Sequence, residues 1–167
     1  MKLLAIILIL SIVSACSNSD DTNPVNTDKN ATGFLRANVN GVSWYSNKIT
    51  TSKSNNIRII KATQDFTNDP IYKSSLLEFR VSVNQAGVFG IGENEPGLNY
   101  VVKAYYTLVS KSGSNDLTLK AHFDNISTLT ISSISDKNLD AGFIFNARTD
   151  DSLNTVEFTN GAIQIDF

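Results

Sequence analysis

Two Asn-Gly pairs, each flanked by stretches in which apolar and polar residues alternate, constrain the fold of this chain more than any other feature of its sequence. Asn-Gly favours the two-residue type I′ turn of a β-hairpin, because both central positions of that turn take a positive φ. Around Asn40-Gly41 such a turn would set Val39 opposite Val42 and Ala37 opposite Trp44. The first two strands are therefore predicted to pair a small residue with the only tryptophan of the chain.

The second pair, Asn160-Gly161, predicts a closing hairpin in the last part of the sequence. Its register would set Phe158 against Ile163 and Val156 against Ile165, with these four side chains on one face. The folded region is thus predicted to begin and to end with an antiparallel hairpin.

The same alternation continues between these two ends. In residues 75–84, Leu77, Phe79 and Val81 alternate with polar residues, as in a strand with one buried face. Residues 99–109 are apolar on both faces, which favours a central strand. Further strands are predicted over residues 57–63, 116–123, 127–134 and 140–148. No stretch has helical spacing, so the sequence predicts an all-β domain, a single antiparallel β-sandwich or flattened barrel of about 8–10 strands.

The chain is predicted to have three parts. Residues 1–15, MKLLAIILILSIVSA, combine a basic residue, an apolar run and small residues at the end, as a secretory signal peptide does. The apolar run is shorter than the ~20 residues that a membrane-spanning helix needs. Residues 16–32 are rich in Ser, Thr, Asn and Asp and predict a disordered tether. The folded domain is predicted over residues 33–167.

The only cysteine, Cys16, follows Val13-Ser14-Ala15, and this stretch resembles the lipobox of bacterial lipoproteins. By that resemblance Cys16 would become the first residue after export and carry a lipid on its sulfur, with enough acyl chains for lasting membrane attachment. The alternative is an ordinary signal peptide with a chance cysteine. Ser19-Asp20-Asp21 resembles the acidic signal that sends Bacteroidetes-type lipoproteins to the outer face of the outer membrane; the alternative is a plain polar tether.

The folded region itself resembles a family of Bacteroidetes lipoproteins. FLRANVNGVSW is similar to the A-x-V-N-G-x-x-W opening hairpin of that family, and VEFTNGAIQIDF to its T-N-G closing hairpin. Between them, VNQAGVFGIGENEPGLNYVVKAYY and STLTISSISDKNLDAGFIFNAR are similar to its glycine-bearing and G-x-F-x-F segments. The resemblance implies a β-rich fold and a cell-envelope setting. Because the family has no established activity, it implies no catalytic residues.

Composition excludes several classes of function. With 14 basic and 16 acidic residues and no basic cluster, the chain lacks the positive surface that nucleic-acid binding requires. His122 is the only histidine, and alternation places it on the polar face of its strand beside Lys120. One exposed histidine supports neither a nucleophile triad nor a histidine-based zinc site. No catalytic residue, metal site or cofactor is predicted.

Two weaker patterns point to chemistry. Glu93 and Glu95 could form a glycosidase pair, but a turn at residues 94–97 with solvated acids is the favoured interpretation. Gly90 and Gly92 lack the lysine and the following helix of a phosphate-binding loop, and they indicate a bulge or a tight strand crossing.

Candidate binding residues are two tyrosines that share strand faces with basic residues. Tyr45 shares a face with Arg36, and Tyr105 shares one with Lys103; such pairs suit a sugar or peptide, unless the fold covers them. Asp151-Ser152-Leu153 resembles the short motif at which Bacteroidetes-type cells O-glycosylate exported proteins, which makes Ser152 a candidate acceptor; the alternative is a plain loop.

The sequence therefore favours a lipid-anchored, surface-exposed outer-membrane lipoprotein that acts as a non-enzymatic binding or structural module. Its expected partners are the membrane, through the lipid on Cys16, and a glycan or an envelope protein. One alternative is a glycan hydrolase with a carboxylate pair from distant strands. Another is a lipocalin-like carrier of an apolar ligand, suggested by Gly41-x-x-Trp44; a filled interior would count against it.

Overall fold

The computed structural model describes residues 29–93 and 100–167 as an all-β fold. The predicted signal peptide, Cys16, the tether up to residue 28, and Glu95 with its predicted turn lie outside the described residues. The eleven strands are β1 (Lys29–Val39), β2 (Val42–Ser46), β3 (Lys48–Ser54), β4 (Ile57–Asp65), β5 (Tyr72–Val81), β6 (Gly87–Gly90), β7 (Val102–Ser110), β8 (Leu117–His122), β9 (Thr128–Ile134), β10 (Asn138–Arg148) and β11 (Thr155–Asp166).

All eleven strands belong to one sheet, and its hydrogen bonding closes on itself. The order around the ring is β11-β1-β3-β4-β5-β7-β8-β10, and β10 pairs with β11 to complete it. Strand β2 pairs with β1, β9 pairs with β10, and β6 pairs with β9. Every strand pairing is antiparallel, which confirms the predicted fold class, with eleven strands in place of about 8–10.

The first Asn-Gly pair forms the predicted hairpin. Asn40 and Gly41 have φ values of 49° and 79°, and the register sets Val39 opposite Val42 and Ala37 opposite Trp44. Ala37 and Trp44 are both buried. This part of the prediction is confirmed in turn type, register and burial.

The second Asn-Gly pair does not form the predicted hairpin. Strand β11 runs straight through Asn160-Gly161, with β1 on one edge and β10 on the other. The pair lies in a bulge, where Ile144 of β10 faces two residues of β11 instead of one. A bulge adds one residue to a strand, so the side chains after it move to the opposite face. A two-residue turn would have brought the same residues onto one face. Phe158 and Ile163 therefore both face the core, although they lie on one strand.

Strand β1 includes residues that the sequence assigned to the tether. Its residues Lys29, Asn30 and Ala31 pair with residues 49–51 of β3. Ala31 in this segment is buried. The composition of these residues is polar, but ladder hydrogen bonds use the backbone and do not need apolar side chains.

Aromatic rings from opposite sides of the ring of strands meet at the centre of the barrel. Phe79 of β5 lies 4.9 Å from Phe143 and 5.9 Å from Phe145, both on β10, measured between ring centroids. Phe158 of β11 stacks on Phe145 at 4.4 Å and contacts Tyr106 of β7 at 5.1 Å. A lipocalin-like carrier needs an open apolar space at the barrel centre, and these rings occupy that position.

Candidate functional site

A row of polar side chains crosses the outer face of β5, β7, β8 and β10. The register sets Glu78 opposite Tyr105, Tyr105 opposite Lys120, and Lys120 opposite Arg148. Side chains at directly opposed positions have Cβ atoms ~4.5–5.5 Å apart, so the four form a continuous row. Their neighbours along the strands, such as Leu77 and Leu119, are buried. Because side chains alternate between the two faces of a strand, these four lie on the outer face.

An open groove of about 410 Å³ lies along this row, and we call it the β8 groove. It runs over β8 between the end of β10 and the segment after β6, and its wall is mostly polar. The lining residues are Glu93, Lys103, Lys120, Ala121, His122, Phe123, Arg148, Thr149 and Asp150.

The centre of the β8 groove is a network of paired charges. The Lys120 ammonium lies 3.6 Å from Glu93 Oε2 and 3.1 Å from Asp150 Oδ1. The Tyr105 hydroxyl donates to Glu93 Oε1 at 3.2 Å, and the guanidinium of Arg80 lies 4.9 Å from the Tyr105 ring centroid. These contacts link the polar groups of three strands and two loops.

Two donors in this network stay protonated at neutral pH. The hydrogen bond to Asp150 and the charge of Glu93 raise the pKa of the Lys120 ammonium. Burial, followed by the charge of Glu93, raises the pKa of the Tyr105 hydroxyl. The groove therefore offers protonated donors beside carboxylate acceptors.

Two further cations line the β8 groove on either side of this network. Among the residues that the structure describes, neither the Lys103 ammonium nor the Arg148 guanidinium forms an ion pair or a hydrogen bond. Lys103 is on β7 and Arg148 is at the end of β10, so β8 lies between them. These are the groups in the groove whose charges are available to a ligand.

One end of the groove is aromatic. The rings of Phe123 and Tyr100 pack with centroids 4.9 Å apart, and Phe123 is 39% exposed. A Cβ on Gly90 would lie 2.9 Å from Phe123 Cε2, and a Cβ on Gly92 would lie 2.9 Å from Phe123 Cβ. The two glycines thus make room for the rings. The sequence indicated a bulge or a tight strand crossing here; the β6–β9 register is regular up to Gly90, and Ile91, between the two glycines, forms an isolated parallel bridge with Val102 of β7.

The structure separates the binding residues predicted from the sequence into two patches. Arg36 and Tyr45 are directly opposed on β1 and β2, and Tyr45 is 50% exposed. Lys103 and Tyr105 lie on β7, at the β8 groove. Three strands separate β1 from β7 in either direction around the ring, so the patches are on opposite sides of the barrel. One small ligand cannot contact both.

The carboxylates of the β8 groove do not form a glycosidase pair. Glu93 and Asp150 converge, but the Lys120 ammonium lies between them and contacts both. A glycosidase needs the space between its two carboxyl groups for the sugar and requires one of them to carry a proton. Here a cation fills that space.

The predicted glycosylation site lies in an exposed turn. Ser152 is exposed with a φ of 58°, and its amide donates to the Thr149 carbonyl at 2.9 Å. Asp151 accepts from the Thr149 hydroxyl and from the Leu153 amide, the latter at 3.0 Å, and these two hydrogen bonds lower the pKa of Asp151, that from Thr149 the more. The Ser152 hydroxyl is accessible to a transferase, and its glycosylation stays a prediction.

Comparisons with protein-family models, with curated proteins and with solved structures found no match to this chain. Residues 29–93 and 100–167 contain no group of three or more His, Cys, Asp or Glu side chains placed to hold a metal ion. In the same part of the chain, no helix is long and apolar enough to cross a membrane. The chemistry of the β8 groove is therefore the basis for a functional proposal.

Proposed function

We propose that this chain is a lipid-anchored cell-envelope protein whose β domain binds a glycan through the β8 groove and does not convert it. The observation that carries the proposal is the placement of a partly exposed aromatic pair beside a fixed array of charged donors and acceptors, in one open groove.

The aromatic end suits the apolar face of a sugar. A sugar ring presents C–H groups on its faces and hydroxyl groups at its rim. Phe123 lines the groove and is 39% exposed, and the Tyr100 ring packs against the Phe123 ring with centroids 4.9 Å apart. Contact with an aromatic face removes the C–H surface of the sugar from water, which stabilises the complex.

The polar centre suits the hydroxyl rim. Each sugar hydroxyl both donates and accepts, and Lys120 with its two carboxylates presents donors and acceptors side by side. Because these groups already hold one another in place, little side-chain freedom is lost when a ligand binds. The position of Lys120 between Glu93 and Asp150 supports binding without hydrolysis.

The lipid anchor is proposed from the sequence. The apolar run before Cys16, the small residues next to it and the polar residues after it agree with the lipoprotein pattern. The acidic residues Asp20 and Asp21 favour display on the outer face of the outer membrane. Display at the cell surface would bring the β8 groove into contact with extracellular glycans.

The Cys16→Ser variant tests the anchor. We expect it to lose incorporation of radiolabelled palmitate completely and to leave the membrane fraction, because the sulfur that accepts the lipid is gone. The control is Ser17→Ala, which should be labelled like the wild type. Equal labelling of the Cys16→Ser variant would contradict the anchor and leave the groove untouched.

The Phe123→Ala variant tests the groove. In affinity electrophoresis of the whole, detergent-solubilised protein through gels that contain neutral or acidic polysaccharides, we expect about tenfold weaker binding, equivalent to ~1.4 kcal/mol. The reason is the loss of the exposed ring that would contact the sugar face. Tyr45→Ala removes an aromatic ring on the opposite side of the barrel and should leave binding unchanged. The reverse result would place the glycan at the β1–β2 patch and overturn the proposal.

A further inference from the structure

We infer that the ligand of the β8 groove is an acidic glycan. This inference rests on the proposed function and adds the chemical class of the glycan. The observation behind it is the pair of cations, Lys103 and Arg148, on either side of the centre of the groove, where Lys120 is paired with two carboxylates.

The charge of the groove differs in sign from that of the chain. Three cations, Lys103, Lys120 and Arg148, and two carboxylates, Glu93 and Asp150, line it, whereas the whole chain has a net charge of −2. The two carboxylates both contact Lys120, and neither contacts the other two cations. The groove thus has an excess of positive charge, which favours an anionic ligand.

The two cations that form no ion pair within the described residues start from well-separated positions on the sheet. Lys103 and Arg148 are two strands apart, which is ~9.5 Å across the sheet. They are also offset along the strands, because Lys120 is opposite Arg148 on one side and Tyr105, not Lys103, on the other. Two residues of strand add ~6.8 Å, so the two Cα atoms are ~12 Å apart. The two side chains therefore enter the groove at separate positions and can contact separate anionic groups of one polymer.

The centre of the groove argues for a sugar polymer over an acidic peptide. Between the two cations, Lys120 is already paired with Glu93 and Asp150, so this region offers hydrogen bonds without net positive charge. A run of acidic residues would bring its own charges against these carboxylates. An acidic glycan places neutral hydroxyls there, between its anionic groups.

The test compares ligands and variants in one assay. The whole, detergent-solubilised protein is run through gels that contain polygalacturonate, dextran sulfate or neutral dextran. We expect at least tenfold tighter binding to one of the two acidic polymers than to dextran. The two arms distinguish carboxylate from sulfate, and tight binding in either supports the inference.

A double variant, Lys103→Gln with Arg148→Gln, is expected to lose at least tenfold in affinity for the acidic polymer and little for dextran. The matched control, Lys29→Gln with Lys137→Gln, removes the same charge from two exposed residues that do not line the groove. It should bind like the wild type. Added salt should weaken the wild-type interaction with the acidic polymer, because exposed charges are screened.

The outcomes separate this inference from the proposed function. Equal binding to dextran and to the acidic polymers, unaffected by the double variant, would overturn the inference and leave glycan binding intact. Equal losses in the double variant and its control would also overturn it, because charge alone would then explain the affinity. If the protein were retarded in gels that contain polyglutamate but in none that contains a glycan, both this inference and the proposed function would be overturned. The result would indicate an acidic protein partner.

Discussion

Phe145→Ala is expected to lower the free energy of unfolding by about 3–5 kcal/mol, the cost of removing a fully buried aromatic side chain and leaving a cavity. Phe145 is 0% exposed and lies among three other rings, those of Phe79, Phe143 and Phe158. These rings come from different strands across the barrel, so no single strand can shift to fill the space. Urea denaturation followed by tryptophan fluorescence would measure the change.

The control for this prediction is Phe34→Ala. Phe34 lies in the same antiparallel sheet but is only partly buried, and its ring centroid is 6.3 Å from that of Tyr45 on the outer face. We expect this variant to lose about 1 kcal/mol or less. Equal losses in the two variants would mean that the centre of the barrel is not packed by Phe145.

Gly161→Ala, at the bulge of β11, is expected to destabilise the protein strongly. A Cβ there would lie 2.3 Å from Cδ2 of Phe143, and that ring is held by Phe79 at 4.9 Å and Phe145 at 5.8 Å. Overpacking of this kind costs about 1–3 kcal/mol or more, and we expect the upper end of that range because the ring cannot move away. Thermal denaturation would show it as a clear drop in Tm.

Two comparisons isolate the cause of that loss. Gly142→Ala places a Cβ in ordinary contact, 3.6 Å from the Gly161 carbonyl oxygen, and should change stability by about 0.5 kcal/mol or less. A second change, Phe143→Leu, removes the edge of the ring and should recover part of the Gly161→Ala loss, since residues in contact are not additive. Equal stability of the two glycine variants would contradict the close approach of Gly161 to the Phe143 ring.

The two Asn-Gly pairs show what a local pattern can and cannot predict. Both mark a position where the alternation shifts by one residue, and both have an asparagine with positive φ. At Asn40-Gly41 the chain reverses, whereas at Asn160-Gly161 it continues as a bulge. The difference comes from neighbours that are distant in sequence. Strand β11 has β1 on one edge and β10 on the other, so it remains extended through the pair.

The faces of single strands were predictable, but the β8 groove was not. Alternation correctly placed Leu77 and Phe79 in the core and Lys120 on the outer face, because burial depends on a strand's own period of two. Strand β8, however, pairs with β10 and not with the next strand in sequence. Only that order brings Arg148 beside Lys120. Strand β3 was missed for a related reason: its sequence, KITTSKS, is mostly polar, and only its partners on both edges hold it in the sheet.

Closure of the hydrogen-bonded ring affects how readily neighbouring molecules of this protein can aggregate. An exposed strand edge invites a neighbouring molecule to add a strand of its own, and this is a common route to aggregation. Here the eight ring strands have partners on both sides, and the two described strands that pair along one edge alone, β2 and β6, are only five and four residues long. Molecules tethered side by side on one membrane, as proposed, could therefore collide often without templating one another into fibrils.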